Sequence, residues 1–201
     1  MKYIELKNAV RSAIFSRQDL RMMGGRFYNW QISYWQKKGL IVKIKNGLYA
    51  FSDNAHSIHP EELVPLIYSP SYISLEKALS VYGLIPEMTY AVTCVTTKAT
   101  RRFRNTWGAF SYRHVKPSLF FGYHEAGSTA NRYLIADPEK ALLDYLYFNL
   151  SGIKTAADIK ELRLNLKTIR SELSRKKLAR FILPYGSKRM DHAVNMIMGE
   201  K

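Results

Sequence analysis

Residues 14–51 read IFSRQDLRMMGGRFYNWQISYWQKKGLIVKIKNGLYAF, and the fold turns on this stretch. Ser16 is a good helix N-cap. Its hydroxyl can accept from the N–H three residues on, where Asp19 stands to return the bond. The short helix it opens ends at Gly24-Gly25, a pair suited to a turn with positive φ. A longer helix is predicted from about Arg26 to Lys38. Tyr28, Ile32 and Trp35 recur at i, i+4, i+7 and form one face. Arg26, Trp30, Ser33, Tyr34 and Lys37 form the other, with Asn29 at its edge. Gly39 ends the helix. Residues 40–45 and 48–51 are β-prone runs around Asn46-Gly47, a strong hairpin signal. Val42 and Ile44 alternate with Lys43 and Lys45, so one face packs and the other carries charge.

Upstream, residues 3–12 read as a helix. The order is therefore helix, short helix, glycine turn, helix, basic hairpin, all within about 50 residues, as in a winged helix-turn-helix. In that fold the helix after the turn enters the DNA major groove, and the hairpin wing follows phosphate or the minor groove. The candidate DNA contacts are Ser16 and Arg17, then Arg26, Asn29, Trp30, Ser33, Tyr34 and Lys37, then Lys43, Lys45 and Asn46. Good bidentate base contacts supply roughly 1–3 kcal/mol of discrimination each. Trp30 and Tyr34 pack on sugars or thymine methyls in this reading, or else complete the domain core.

Charge agrees with an anionic partner. The 201 residues hold 31 Lys and Arg against 16 Asp and Glu, a net +15. Such a balance favours nucleic acid first and anionic membrane second. The charge is clustered. Residues 1–51 carry 10 basic and 2 acidic side chains, residues 98–116 carry 6 and none, and residues 154–189 carry 11 and 3. Residues 52–97 hold one Lys and five acids. Each phosphate neutralised on duplex DNA contributes about −0.9 to the log–log salt slope.

Other signals exclude more than they assert. No apolar run approaches the roughly 20 residues of a membrane span. No signal core opens the chain, so a cytoplasmic location is expected. Cys94 stands alone among strand-spaced neighbours and reads as a buried structural thiol. His56 and His59 have metal-like spacing but no third ligand nearby. Neither a metal nor a cofactor is expected. The chain has no phosphate-binding glycine loop, dinucleotide pattern, HExxH or GxSxG, so no catalytic residue is assigned and a non-enzyme is expected.

Past a linker at 54–60, residues 61–68 read as a short helix and 71–82 as another. Residues 89–97 alternate like a strand. Residues 101–106 and 109–115 read as a hairpin, and 119–123 and 133–136 as further strands. Asp137-Pro138-Glu139 opens a helix, with Asp at the cap and Pro in the first turn. Asp137, Pro138, Glu139 and Lys140 with Asp144 form a loose carboxylate cluster; the cap and first turn account for Asp137, Pro138 and Glu139, and no catalysis is assigned. From about Thr155 the chain reads as helical, broken at Asn165 and at Pro184-Tyr185-Gly186. Lys98, Arg101, Arg102, Arg104, Arg113 and Lys116 form a basic block beside aromatics. It reads as a surface for DNA, RNA or an acidic protein, or as a charge-protected sheet edge. Arg175-Lys176-Lys177 and Arg180 read equally as a phosphate-binding or a solvated face.

Several segments of this second part resemble the AbiEi family of antitoxins and transcriptional regulators of type IV toxin–antitoxin, or abortive infection, systems. They are residues 72–79 (YISLEKAL), 82–87 (YGLIPE), 97–103 (TKATRRF), 107–114 (WGAFSYRH), 120–123 (FFGY) and 136–144 (ADPEKALLD). The likeness runs in order from about residue 14 to about 150. It implies an N-terminal winged helix that binds operator DNA and represses its own operon. It also implies a C-terminal domain that counteracts a nucleotidyltransferase-like toxin, often without a stable complex. The family's second domain has been compared with nuclease-like folds, but the chain shows no convincing carboxylate–carboxylate–lysine metal motif, Asp137-Pro138-Glu139-Lys140 being only a loose likeness, so no nuclease activity is carried over.

The expectation is an α+β chain: a winged helix-turn-helix over 1–53, a linker at 54–60, and a mixed α/β antitoxin-type domain over 61–201 ending in helices. Its partners would be double-stranded operator DNA, bound by two copies on paired half-sites, and functionally the toxin, with no membrane. A plain winged-helix regulator with a dimerising or ligand-sensing second domain, and a DNA-processing enzyme, are the competing readings.

Overall fold

The computed structural model describes residues 2–23, 28–128 and 131–199. The protein is mixed α+β with two sheets. It divides into two compact units, residues 1–63 with 104–108, and residues 64–103 with 109–201.

The first unit runs α1 (Tyr3–Ala9), β1 (Ile14–Ser16), α2 (Arg17–Met22), α3 (Asn29–Lys37), β2 (Ile41–Lys45) and β3 (Leu48–Phe51). Its sheet has the order β1-β3-β2, antiparallel throughout. β1 is only three residues long, too short to show a period in sequence. Ser16 ends it and caps α2: Asp19 N–H donates to Ser16 Oγ at 3.2 Å, and Ser16 N–H donates to Asp19 Oδ2 at 2.6 Å. Gly47 sits at φ +81° in the hairpin turn, where a side chain would be strained. Its carbonyl accepts from Arg17 N–H at 2.9 Å, tying the turn to the start of α2.

Every element feeds one core: Leu6, Phe15, Leu20, Ile32, Trp35, Ile41, Tyr49 and Phe51. Burying each Leu, Ile or Phe contributes roughly 1.5–3 kcal/mol. Three expectations for this unit are corrected. Tyr28 does not pack; it is the extended N-cap of α3, and 51% of it is exposed. The helical period begins only after it, and Gln31 fills the buried face instead, its Oε1 accepting from Tyr28 N–H at 2.8 Å. In β2 the buried residues are Ile41 and Ile44, not Val42 and Ile44, because a bulge between Lys43 and Lys45 breaks the two-residue alternation. The N-terminal helix stops at Ala9 rather than residue 12. Gly24, Gly25 and Arg26 lie outside the described residues, so the turn assigned to the glycines rests on sequence; the helix expected from about Arg26 starts only at Asn29, after extended Tyr28.

Residues 52–57, overlapping the expected linker, form a 3-10 helix. The segment 104–108 belongs to this unit as well. Asn105 Nδ2 donates to the Ile44 carbonyl at 3.2 Å, and Trp107 Nε1 to the Ala55 carbonyl at 3.0 Å.

α4 (Pro60–Ile67) crosses the boundary between the units. The second sheet contains β4 (Ser71–Ile73), β5 (Val92–Thr96), β6 (Arg101–Asn105), β7 (Gly108–His114), β8 (Tyr123–Ser128) and β9 (Asn131–Ala136), in the order β6-β7-β5-β4-β9-β8. It is mixed: β4 pairs antiparallel with β5 and parallel with β9, and β5 pairs parallel with β7. α5 (Leu75–Val81) and α6 (Pro138–Asn149) pack with this sheet. α7 (Ala156–Glu161), α8 (Leu166–Glu172), α9 (Arg175–Ile182) and α10 (Lys188–Met198) complete the helical end.

The expected helix over 71–82 is corrected here. Its first three residues are a central strand, wholly buried, and the helix begins only at Leu75. Tyr72 and Ile73 supply the apolar bulk a buried strand needs, but three residues carry no readable period. The strand expected at 119–123 is likewise corrected: residues 117–119 form a 3-10 turn and β8 begins at Tyr123.

Candidate nucleic-acid interface

The outward side of α3 follows from what its inward side buries. Gln31, Ile32 and Trp35 face the core, so Asn29, Trp30, Ser33, Tyr34 and Lys37 are exposed. Asn29, Ser33 and Lys37 recur every four residues and lie on one row; Trp30 and Tyr34 form the adjacent row. Trp30 is 64% exposed and Tyr34 49%, so neither completes the core. Tyr28 stacks beside Trp30, with centroids 6.5 Å apart and 17° between planes. Lys38 Nζ lies 5.9 Å from the Tyr34 ring. Met22, at the end of α2, is also largely exposed.

The other N-terminal candidates divide. Arg17, Lys43 and Asn46 are exposed, while Ser16 and Lys45 are half-buried. The Ser16 hydroxyl accepts from Asp19 N–H and donates to Asp19 Oδ2 at 2.8 Å, so only its remaining lone pair is open to a ligand. Arg26 lies outside the described residues.

In the second part the basic block does not make one patch. β6 is an edge strand, and its side chains alternate. Arg101 shares a face with Phe103, and its guanidinium lies 5.9 Å from the Tyr68 ring; Lys98 Nζ lies 5.6 Å from the same ring. Arg102 and Arg104 fall on the opposite face, both exposed. Arg113, half-buried, stacks over Phe148 at 4.0 Å, which makes it partly a packing residue. Lys116 is exposed beyond the end of β7.

The cap explanation for Asp137 needs correction. Asp137 stands at the N-cap of α6 but makes no side-chain cap bond. One oxygen meets His124 Nδ1 at 2.7 Å and the other meets Lys177 Nζ at 3.1 Å. Glu139 is buried and receives the Ser174 N–H at 3.0 Å and Lys177 at 3.1 Å. Lys177 is thus an ion-pair residue, whereas Arg175, Lys176 and Arg180 are exposed.

Sequence reasoning noted Lys140 and Asp144 but missed their burial and the partners that make them the most demanding polar cluster. Lys140 and Asp144, four apart on α6, are both fully buried and paired with each other. Asp144 Oδ2 accepts from Tyr72 OH and Ser74 Oγ, each at 2.9 Å. Its Oδ1 accepts from Lys140 and from Tyr185 OH at 3.1 Å. Lys140 also donates to Tyr185 OH at 2.8 Å and lies 5.0 Å from the Phe121 ring. Burial pushes the Lys140 ammonium below its ordinary value, and Asp144 opposes that. Burial, then the Asp144 charge, pushes the Tyr72 and Tyr185 hydroxyls far up. The sequence signal is no more than a Lys–Asp i,i+4 pair inside an apolar helix. The side chains of both charged residues are sealed from solvent. The arrangement holds β4, α6 and residue 185 together; it offers a substrate no surface.

Among the described residues no group of three His, Cys, Asp or Glu could hold a metal ion, and no helix is long and apolar enough to cross a membrane. Cys94 is buried, and burial pushes its thiol well up, so little of it is thiolate. No protein-family model matches the chain, and no curated protein matches its sequence.

Proposed function

We propose that this protein is a sequence-specific DNA-binding repressor whose first unit is a winged helix-turn-helix. α2 and α3 would be the helix-turn-helix, α3 the recognition helix, and β2–β3 the wing. The observation that carries this reading is the outward side of α3, with Asn29, Trp30, Ser33, Tyr34 and Lys37 in the open while Ile32 and Trp35 anchor the helix behind them. Lys43 and Asn46 at the hairpin extend the same chemistry to the wing. A net +8 in residues 1–51 supplies the sequence-independent attraction to phosphate.

The second unit, in this reading, counteracts a nucleotidyltransferase-like toxin, as the AbiEi resemblance of its segments implies, and the whole acts in the cytoplasm without catalysis of its own.

A gel-shift titration of the full chain against the DNA upstream of its own reading frame tests the first half. Retardation that weakens steeply with salt is expected. Lys37→Ala with Lys43→Ala should weaken binding and flatten the salt slope by about 1 for each phosphate no longer neutralised. Unchanged affinity and slope in that variant would remove α3 and the wing from the interface. Co-expression with the adjacent gene product tests the second half. Growth rescue by both the wild type and the Lys37→Ala, Lys43→Ala variant is expected, and no rescue by the wild type rejects the antitoxin role.

A further inference from the structure

We infer that Trp30 and Tyr34 read thymine methyl groups, so that the chain selects A·T pairs; this deepens the DNA-binding reading and rests on it. The two rings lie one helical turn apart on the same row of α3 and are 64% and 49% exposed. They are not surplus core, because Ile32 and Trp35 already fill the inward side. Adjacent exposed aromatics rimmed by polar and cationic side chains suit an interface that is apolar at its centre. The rim here is Asn29, Ser33, Lys37 and Lys38. An occupant that is apolar at its centre and anionic on the Lys37 and Lys38 side fits this surface. On a duplex, the thymine 5-methyl is the apolar element of the major-groove base edges, and phosphates flank it.

The neighbouring row completes the pair. Asn29 and Ser33 are exposed beside Trp30 and Tyr34, and an Asn amide matches adenine N6 and N7 bidentately. Adenine is thymine's partner, so the polar row and the aromatic row address the two halves of one base pair. Each ring has one neighbour that favours its present orientation, Tyr28 beside Trp30 and Lys38 near Tyr34. Such preorganisation lowers the ordering cost of binding.

The test uses the full chain to select duplexes from a random-sequence pool, then remakes the best-bound duplex with deoxyuridine at every thymidine. Uracil keeps each hydrogen-bonding group and loses only the methyl. The selected duplexes should be A·T-rich, and the uracil version should bind more weakly by about threefold to fivefold per contacted thymine, the transfer value of one buried methyl group. Trp30→Ala should bind the two versions nearly alike, and Tyr34→Ala should narrow their difference; both rings are exposed, so melting curves should show these variants folded. Equal wild-type affinity for thymine and uracil duplexes overturns this inference and leaves DNA binding standing. So does a thymine–uracil ratio that Trp30→Ala and Tyr34→Ala leave unchanged. If the wild-type chain selects no duplex, the DNA-binding reading and the inference fail together.

Discussion

Lys37 and Lys140 are the same side chain in opposite settings. Lys37 stands in the open at the end of α3, and Lys140 is completely enclosed on the inner side of α6. An exposed ammonium in a positively charged region gains most from a mobile anionic partner, and little in the fold depends on it. An enclosed ammonium is tolerable only if fixed groups replace its water, and Asp144, Tyr185 and the Phe121 ring do so. Charge on the first unit's surface is thus available for recognition, while the charge inside the second unit is committed to architecture. Residue type and local spacing alone do not separate these uses.

The contrast can be broken most sharply at Asp144. Asp144→Ala strips the acceptor from Tyr72, Ser74 and Tyr185 and leaves Lys140 enclosed without its counter-charge. A loss of about 3–5 kcal/mol is expected in denaturant unfolding. Adding Lys140→Met should recover much of that loss, and a double variant as unstable as the single one would show that the pair is not coupled. Alkali reaches the same unit. Burial raises Tyr82, whose OH donates to the Ala136 carbonyl at 2.8 Å, to about 12. A raised tyrosine favours the folded state fully below its ordinary value of 10.0. That contribution is lost as pH climbs through the folded value. Unfolding midpoints should therefore decline between about pH 10 and about pH 12, and Tyr82→Phe should flatten the decline.

Gly122 and Gly39 give a finer comparison, since both have positive φ. A Cβ at Gly122 would meet Phe181 Cε2 at 2.9 Å and Lys140 Cγ at 3.2 Å, whereas one at Gly39 meets nothing within 4 Å. Gly122→Ala should cost about 1–3 kcal/mol more than Gly39→Ala, the expense of overpacking added to shared backbone strain. Ser16→Ala should cost about 1 kcal/mol through removal of the cap. Smallest of all, Trp30→Ala should change unfolding by no more than about 0.5 kcal/mol. A large loss of stability there would mean the ring is structural after all.

What is legible in the sequence is local. The Ser16–Asp19 reciprocal cap, the Asn46-Gly47 hairpin and the late helices breaking near 165 and 184–186 each depend on neighbours within a few residues. The outward placement of Trp30 and Tyr34 is legible as a helix face, but whether they are exposed or complete the core is decided only by Ile32 and Trp35 filling the inward side. What is not legible depends on partners far along the chain. β4 is a strand because residues near 94 and 135 flank it, and its three residues alone resemble the start of a helix. Asp144 finds Tyr72, Ser74 and Tyr185 across separations of 72, 70 and 41 residues. Asp137 keeps its N-cap position but turns its carboxylate to Lys177 and His124, partners 40 and 13 residues away. Tyr28 differs in kind: a three-point apolar pattern runs one residue past the point where the backbone turns helical.

The placement of residues 104–108 with the first unit governs how the gene can be dissected. A fragment ending at residue 63 discards Asn105 and Trp107, the donors to the Ile44 and Ala55 carbonyls. Chain order and assembly order therefore disagree. A ribosome that has just delivered residue 63 has delivered an unfinished first unit, and the missing piece arrives about 40 residues later, after part of the second unit has already been made.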